Sequence, residues 1–187
     1  MPIVEITLIE GYDEDTRRRL TRALHQAVQS VIAAPDEGVT IVAREVPSAN
    51  YRRGGTDKVP GPPVPDPVEV VRRFLKCMES RDLDGAKALT ADGFEMIFPG
   101  GRRFTEFQQL IDWAKPRYRW VGKRFERFDA APAEDGTAVT CYGTLYGEWP
   151  DGTAFEGIRY ADWFLLRGGK ILQQHVWNDL AESARTG

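Results

Sequence analysis

Proline 2 is the first residue of this chain whose type and position could do chemistry. With the initiator methionine removed, it presents a secondary amine at the start of Ile3-Val4-Glu5-Ile6-Thr7-Leu8-Ile9, a run that alternates as a strand does. A free α-amine titrates at about 7.7–8.0, and an apolar pocket or a neighbouring cation lowers that value. The product is a base poised near neutrality, suited to proton transfer. A second group lies near the other end of the chain, where Gln173, His175 and Trp177 alternate with Gln174, Val176 and Asn178, and Asp179 follows. His175 with Asp179 or Asp162 could form an acid–base pair, and Asp179 could act alone as an acid in an apolar pocket. The ordinary alternative is a packed interior histidine, with Trp163 and Trp177 in a core or an interface. On the preceding run Tyr160 and Asp162 share one face, Arg159 and Trp163 the other; parity leaves open which face lines a cavity. His25, beside an apolar helical stripe, reads as packing. Two histidines in different parts of the chain, without carboxylates at ligand spacing, form no metal site. No phosphate loop or nucleophile elbow is present either, so neither metal nor cofactor is expected.

Those residues need a scaffold, and the chain supplies two. After the first strand, Asp13 is a helix N-cap with Glu14 and Asp15 in the first turn. Leu20, Ala23, Leu24, Ala27, Val28, Val31 and Ile32 then recur at helical spacing. Pro35-Asp36-Glu37-Gly38 ends the helix, and Val39–Val46 is a second strand, which implies a parallel βαβ unit. Two strands and one helix cannot cover both sheet faces, so the unit must pack against copies of itself or against the rest of the chain, and self-association is the stronger expectation. Gly54 to Pro67 holds five of the chain's 12 prolines and reads as an extended spacer, roughly 40 Å long if fully stretched. The expected domains are therefore residues 1–55, a linker at 56–66, and residues 67–187.

The second domain opens with a helix that turns Val68, Val71, Phe74, Leu75 and Met78 inward. Shorter helices are expected around Asp84–Leu89 and Thr105–Ala114, with a short strand at Phe94–Phe98 between them. Long strands then run about Trp120–Ala130, Thr137–Trp149, Phe155–Leu166 and Lys170–Trp177, separated by Gly-containing turns. Helices followed by a meander make an α+β fold, with helices packed on one strongly curved antiparallel sheet that closes around a cavity.

A net charge of −3 leaves no basic footprint for nucleic acid. No apolar run approaches the roughly 18 residues of a membrane span, and Glu5 and Glu10 interrupt any signal-like N-terminus. Cys77 and Cys141 suggest no disulfide framework. A cytoplasmic setting is expected, with a small molecule as the partner.

With the elements placed, two resemblances follow. Pro2-Ile3-Val4, Ile9-Glu10-Gly11, the single long helix, Pro35, and Glu45-Val46-Pro47-Ser48-Ala49-Asn50-Tyr51 before Gly54-Gly55 make residues 2–55 similar to the 4-oxalocrotonate tautomerase family. That resemblance implies an N-terminal proline acting as acid or base on 2-oxo acids, and assembly as trimers or hexamers. The family's two substrate-binding arginines fall here on Tyr12 and Thr40, and its pocket aromatic on Tyr51. Arg44, Arg52 and Arg53 are cations that could replace the missing pair, because guanidinium binds carboxylate through two hydrogen bonds. Solvated arginines, or salt bridges to the other domain, are the alternative.

Residues 67–187 resemble the SnoaL-like branch of the nuclear transport factor two superfamily. The resemblance rests on the helix Val68–Met78, on Arg81-Asp82-Leu83, and on Asp162–Ile171 leading to His175-Val176-Trp177-Asn178-Asp179. It implies a cone-shaped α+β barrel with an apolar pocket, possible dimer contacts, and cyclase, isomerase, dehydratase or plain ligand-binding activity. Together these features suggest a small-molecule isomerase using Pro2 on an enolisable oxo compound, with His175 and Asp179 serving a second proton transfer. Arg44, Tyr51, Arg52, Arg53, Tyr12, Asp162 and Trp177 are its candidate binding residues. The competing expectations are a catalytic second domain on a scaffolding first one, and a ligand-binding protein without catalysis.

Overall fold

A computed structural model of the chain describes residues 1–183; the last four residues of the expected second domain, 184–187, lie outside the described residues. The alternating run behind Pro2 forms β1 (Ile3–Ile9). Asp13 then starts α1 (Glu14–Gln29) by accepting a hydrogen bond from the Thr16 amide at 2.8 Å. The chain returns through a 3₁₀ turn as β2 (Thr40–Val46), parallel to β1 with Ile3 opposite Thr40 and Ile9 opposite Val46. Arg52–Arg53 (β3) and Thr56–Asp57 (β4) pair around Gly54-Gly55. This hairpin replaces the start of the expected extended spacer, because both glycines sit at positive φ (61° and 76°), which closes a two-residue turn. The unit spans Met1–Pro63, and the second begins at Val64.

No residue of the first unit is fully buried. Helix α1 covers the face carrying Val4, Ile6 and Leu8, while Ile3 on the other face stays 62% exposed. A fully buried Val, Leu or Ile contributes about 1.5–3 kcal/mol, and here none contributes that in full. This physical deficit is what assembly would relieve.

The second unit has a core of its own. Asp66 accepts hydrogen bonds from the Val68 and Glu69 amides, and Pro67 takes the first helical position of α2 (Pro67–Ser80). The helix drives Val70, Val71, Phe74 and Leu75 into the interior. Then come α3 (Leu83–Ala88), β5 (Thr90–Phe98), β6 (Arg102–Phe104) and α4 (Phe107–Ala114). The long strands are β7 (Trp120–Ala133), β8 (Gly136–Glu148), β9 (Ala154–Arg167) and β10 (Lys170–Asn178), followed by α5 (Leu180–Ser183). They form one sheet in the order β6-β5-β10-β9-β8-β7. It is antiparallel apart from the parallel pairing of β5 with β10. Register shifts interrupt β7 near Glu126, β8 near Tyr146 and β10 near Leu172. Such bulges bend long strands, so the sheet curls over α2. Gly143 makes one of these bends possible, since a Cβ there would lie 2.0 Å from the Arg124 carbonyl oxygen.

Candidate active site

Inside the curl lies a cavity of about 380 Å³, within the size range of small-molecule sites. Its walls are mostly apolar, with Leu75 and Met78 from α2, Leu110 and Ile111 from α4, and Val121 and Leu145 from the sheet. Polar groups reach it at the end of α2, through Glu79 and Arg81, before β7, through Tyr118 and Arg119, and along the sheet. On β7, Val121, Lys123 and Phe125 alternate inward, so Lys123 puts an ammonium among apolar neighbours. On β9 the inward face carries Tyr160 and Asp162, and on β10 it carries Gln174, Val176 and Asn178.

These groups converge at the cavity floor. Asp162 is completely buried just behind the lining; its Oδ2 accepts from Lys123 Nζ and, at 3.3 Å, from the Gln174 amide. Lys123 Nζ also lies 4.4 Å from the centre of the Tyr160 ring. Burial pushes the Asp162 carboxyl above the usual carboxylate range, against the opposing pull of Lys123 and Gln174. Burial likewise pushes the Tyr160 phenol up, helped by the neighbouring Cys141 and Asp162. Cys141, across the strand pair from Asp162, is sealed, and its thiol is pushed up to about 12. Among the described residues, two buried side-chain atoms have no hydrogen-bond partner, Tyr160 Oη and Asp162 Oδ1. An orphaned buried polar atom costs roughly 1–3 kcal/mol. Here two of them stand two residues apart on one strand face, beside an ammonium and a cavity.

The C-terminal residues expected from sequence fall elsewhere. His175 points to the opposite face of the sheet, where it stands edge-on to Trp163 at 5.3 Å and stacks on Trp177 at 5.8 Å. Trp177 is 55% exposed there and does not line the cavity. Asp179 caps the end of β10 and pairs with Arg159 at 2.7 Å, so it forms no pair with His175. The reason is the pleat: the inward positions of β10 are 174, 176 and 178, which turns 173, 175 and 177 outward. Of that group only Asp162 reaches the cavity cluster. Lys123, Gln174 and Tyr160 were missed as partners. The available signal was a lysine on the apolar parity of a strand.

In the first unit, the Pro2 carbonyl accepts from the Thr40 amide at 3.1 Å, which fixes Pro2 at the start of the sheet. Because β1 and β2 are parallel, the chain after Val46 lies at the other end. Tyr51 and Arg53 line a shallow groove there with Ile9. At roughly 3.3 Å per residue the strand separates that groove from Pro2 by about 20 Å. Arg44 sits opposite Thr7 and pairs with Glu5 at 3.4 Å, and Arg52 pairs with Asp57 at 2.9 Å. The Tyr12 carbonyl accepts from Arg17, which also pairs with Glu45. Within one chain, therefore, neither Tyr51 nor Arg53 meets Pro2.

A curved sheet wrapped on a helix around an apolar cavity with a sparse polar floor defines a small-molecule pocket domain, and a short βαβ unit precedes it. Comparison with known proteins specifies both. The family model described as SnoaL-like domain matches residues 71–174, and that described as Tautomerase enzyme matches residues 2–59. The chain thus belongs to the SnoaL-like family, with a member of the tautomerase family fused at its N-terminal end. A probable tautomerase of Ralstonia nicotianae is 36% identical over 58 residues, which are 31% of this chain and 83% of that protein. Among solved structures, an NTF2-like protein of unknown function from Burkholderia pseudomallei is similar at TM-score 0.53 and 16% identity, covering 64% of this chain and 95% of that one. TerC, co-crystallised with polyporic acid, is similar at TM-score 0.55 and 15% identity, again covering 64% and 95%. These structures share the fold of the second unit. No helix among the described residues is long and apolar enough to cross a membrane.

Proposed function

We propose that the protein is a small-molecule isomerase that moves a proton α to a carbonyl, and that the step takes place in the cavity of the second unit. The observation that carries this reading is the orphaned pair Tyr160 Oη and Asp162 Oδ1 beside Lys123 on an apolar cavity floor. Buried polar atoms left unpaired mark a place kept ready for a substrate group. In the proposed step Lys123 Nζ passes a proton to Asp162, whose burial favours the protonated carboxyl. The freed amine takes the α-hydrogen as a proton, and the C–H electron pair moves into the carbonyl to give an enolate. Tyr160 Oη donates a hydrogen bond to that oxygen. Where the substrate carries a double bond next to the α-carbon the enolate is conjugated, and Lys123 returns the proton to the far carbon, which completes an isomerisation; with an intramolecular carbonyl as electrophile the α-carbon closes a ring and Lys123 gives its proton to the resulting alkoxide.

The first unit is the assembly module in this reading, since none of its residues is fully buried and a helix covers only one face of its sheet. A second reading gives it chemistry as well: Pro2 is the acid–base group once Met1 is removed, with Arg44, Tyr51, Arg52 or Arg53 supplied by another copy. The similarity to tautomerases from residue 2 onward favours it. The test is deuterium exchange at the α-carbon of 2-oxo acids and cyclic ketones in D2O, followed by NMR. Lys123→Met should abolish exchange while Pro2→Ala leaves it. The converse result moves the chemistry to Pro2, and labelled-proline NMR then reads its titration directly. Light scattering of the full chain should give a multiple of 21.1 kDa; a monomer refutes the assembly role.

A further inference from the structure

Helix α2 ends at Arg81, whose backbone is left-handed at φ 61°, ψ 24°. Arg81 is the only non-glycine residue at positive φ among the described residues. Glycine or asparagine ordinarily fills such a position because a Cβ there is strained. The arginine held in this conformation lines the cavity. Its side chain makes no ion pair or hydrogen bond among the described residues, whereas the other two cations of the lining are engaged, Arg119 with Glu148 and Lys123 with Asp162. Beside it on the lining is Tyr118, which lies near enough for the Arg81 charge to act on its phenol. The Tyr118 hydroxyl makes no hydrogen bond among the described residues either. Glu79 belongs to the same lining, and it makes no ion pair with Arg81 among the described residues.

We propose that Arg81 and Tyr118 form an anion clamp, so that the substrate is an apolar oxo acid with its carboxylate on the guanidinium and its body against Leu75, Met78, Leu110 and Val176. The substrate class rests on the isomerase reading above, but the clamp is a matter of binding and is measured without turnover. Guanidinium and phenol are complementary to a carboxylate: one is a charged two-pronged donor, the other a neutral donor. Only one charged end can be held this way, which leaves the carbonyl to Tyr160 and Lys123.

The experiment is calorimetric titration of the full chain with 2-naphthoate and with its neutral counterpart 2-naphthamide. The unmodified chain should bind the carboxylate about tenfold to a hundredfold more tightly than the amide, the range of a charge-assisted hydrogen bond. Arg81→Gly should erase that preference and leave 2-naphthamide binding unchanged. Glycine is at ease at φ 61°, so this variant should melt at the same temperature or higher, which separates lost binding from lost fold. Arg81→Lys should keep part of the preference. Asp162→Asn should keep all of it, so failure of the isomerase reading and failure of the clamp are distinguishable. A preference that survives Arg81→Gly, equal affinity for both probes in the unmodified chain, or no binding of either probe overturns the proposal.

Discussion

Asp162→Asn tests the cavity floor most severely, because stability and turnover should move in opposite directions. The carboxyl is wholly buried, and its folded-state pKa is raised by that burial. The unfolded chain releases this proton near the ordinary value of about 3.9, whereas the folded chain holds it to higher pH. The stabilisation from the bound proton is therefore fully present below about 3.9 and is lost as pH rises through the folded-state value. Across that window the native chain loses about 1.4 kcal/mol per pH unit from this group. Asparagine reproduces the shape of the neutral carboxyl and titrates nowhere in the range. The variant should match the unmodified chain near pH 3.5, gain on it by about 1.4 kcal/mol per pH unit inside the window, and level off above the folded-state value. Lys123 is not stranded by the exchange, since its side chain keeps 22% exposure and the Tyr160 ring beneath it. Turnover should fall by about 10²–10⁴, the usual contribution of a positioned proton acceptor. Urea unfolding from pH 3.5 to 8, monitored by near-ultraviolet circular dichroism, gives the first quantity, and α-deuterium exchange gives the second. An Asp162→Asn chain about 3 kcal/mol less stable than the parent at pH 7, with the same pH slope, refutes the reasoning. That outcome describes an ionised carboxylate in an ordinary buried ion pair whose loss leaves a stranded cation.

Three further outcomes follow from the geometry. His175→Ala should leave α-deuterium exchange within twofold, because the imidazole faces away from the cavity. It should cost about 1 kcal/mol in urea unfolding through lost contact with Trp163 and Trp177, and a tenfold fall in exchange returns His175 to the chemistry. Gly143→Ala should destabilise the second unit by about 3 kcal/mol, because its Cβ would press on the Arg124 carbonyl and backbone there cannot swing aside; an unchanged urea midpoint contradicts the close approach of β7 and β8. Cys141, fully buried with its thiol pushed up to about 12, should stay inert to a disulfide reagent at pH 8 until the chain is unfolded. Labelling of Cys141 in the native protein opposes that placement.

The sequence alone carried the two-module plan. The stripe from Leu20 to Ile32, the Asp13 cap, the alternation of residues 3–9 and the glycine turns between the long strands are local signals, and local signals survive without knowledge of what packs where. The same locality set the limits. Gly54-Gly55 closed a hairpin inside a stretch that composition made look like plain spacer. On β10, parity correctly sorted His175 and Trp177 from Gln174 and Val176, but a pleated strand has two faces that alternation cannot tell apart. The packing of α2 against one side of the sheet made that choice, and it turned His175 outward and Asp162 inward. Lys123 and Asp162 stand 39 residues apart on strands that are not neighbours. Their meeting depends on how far the bulged sheet curls, which is a property of the assembled strands and of no single one. In the first unit, parallel pairing carried Tyr51 and Arg53 to the end of the sheet away from Pro2. Residue types could nominate those groups, and only the direction of β2 could show that one chain does not bring them together.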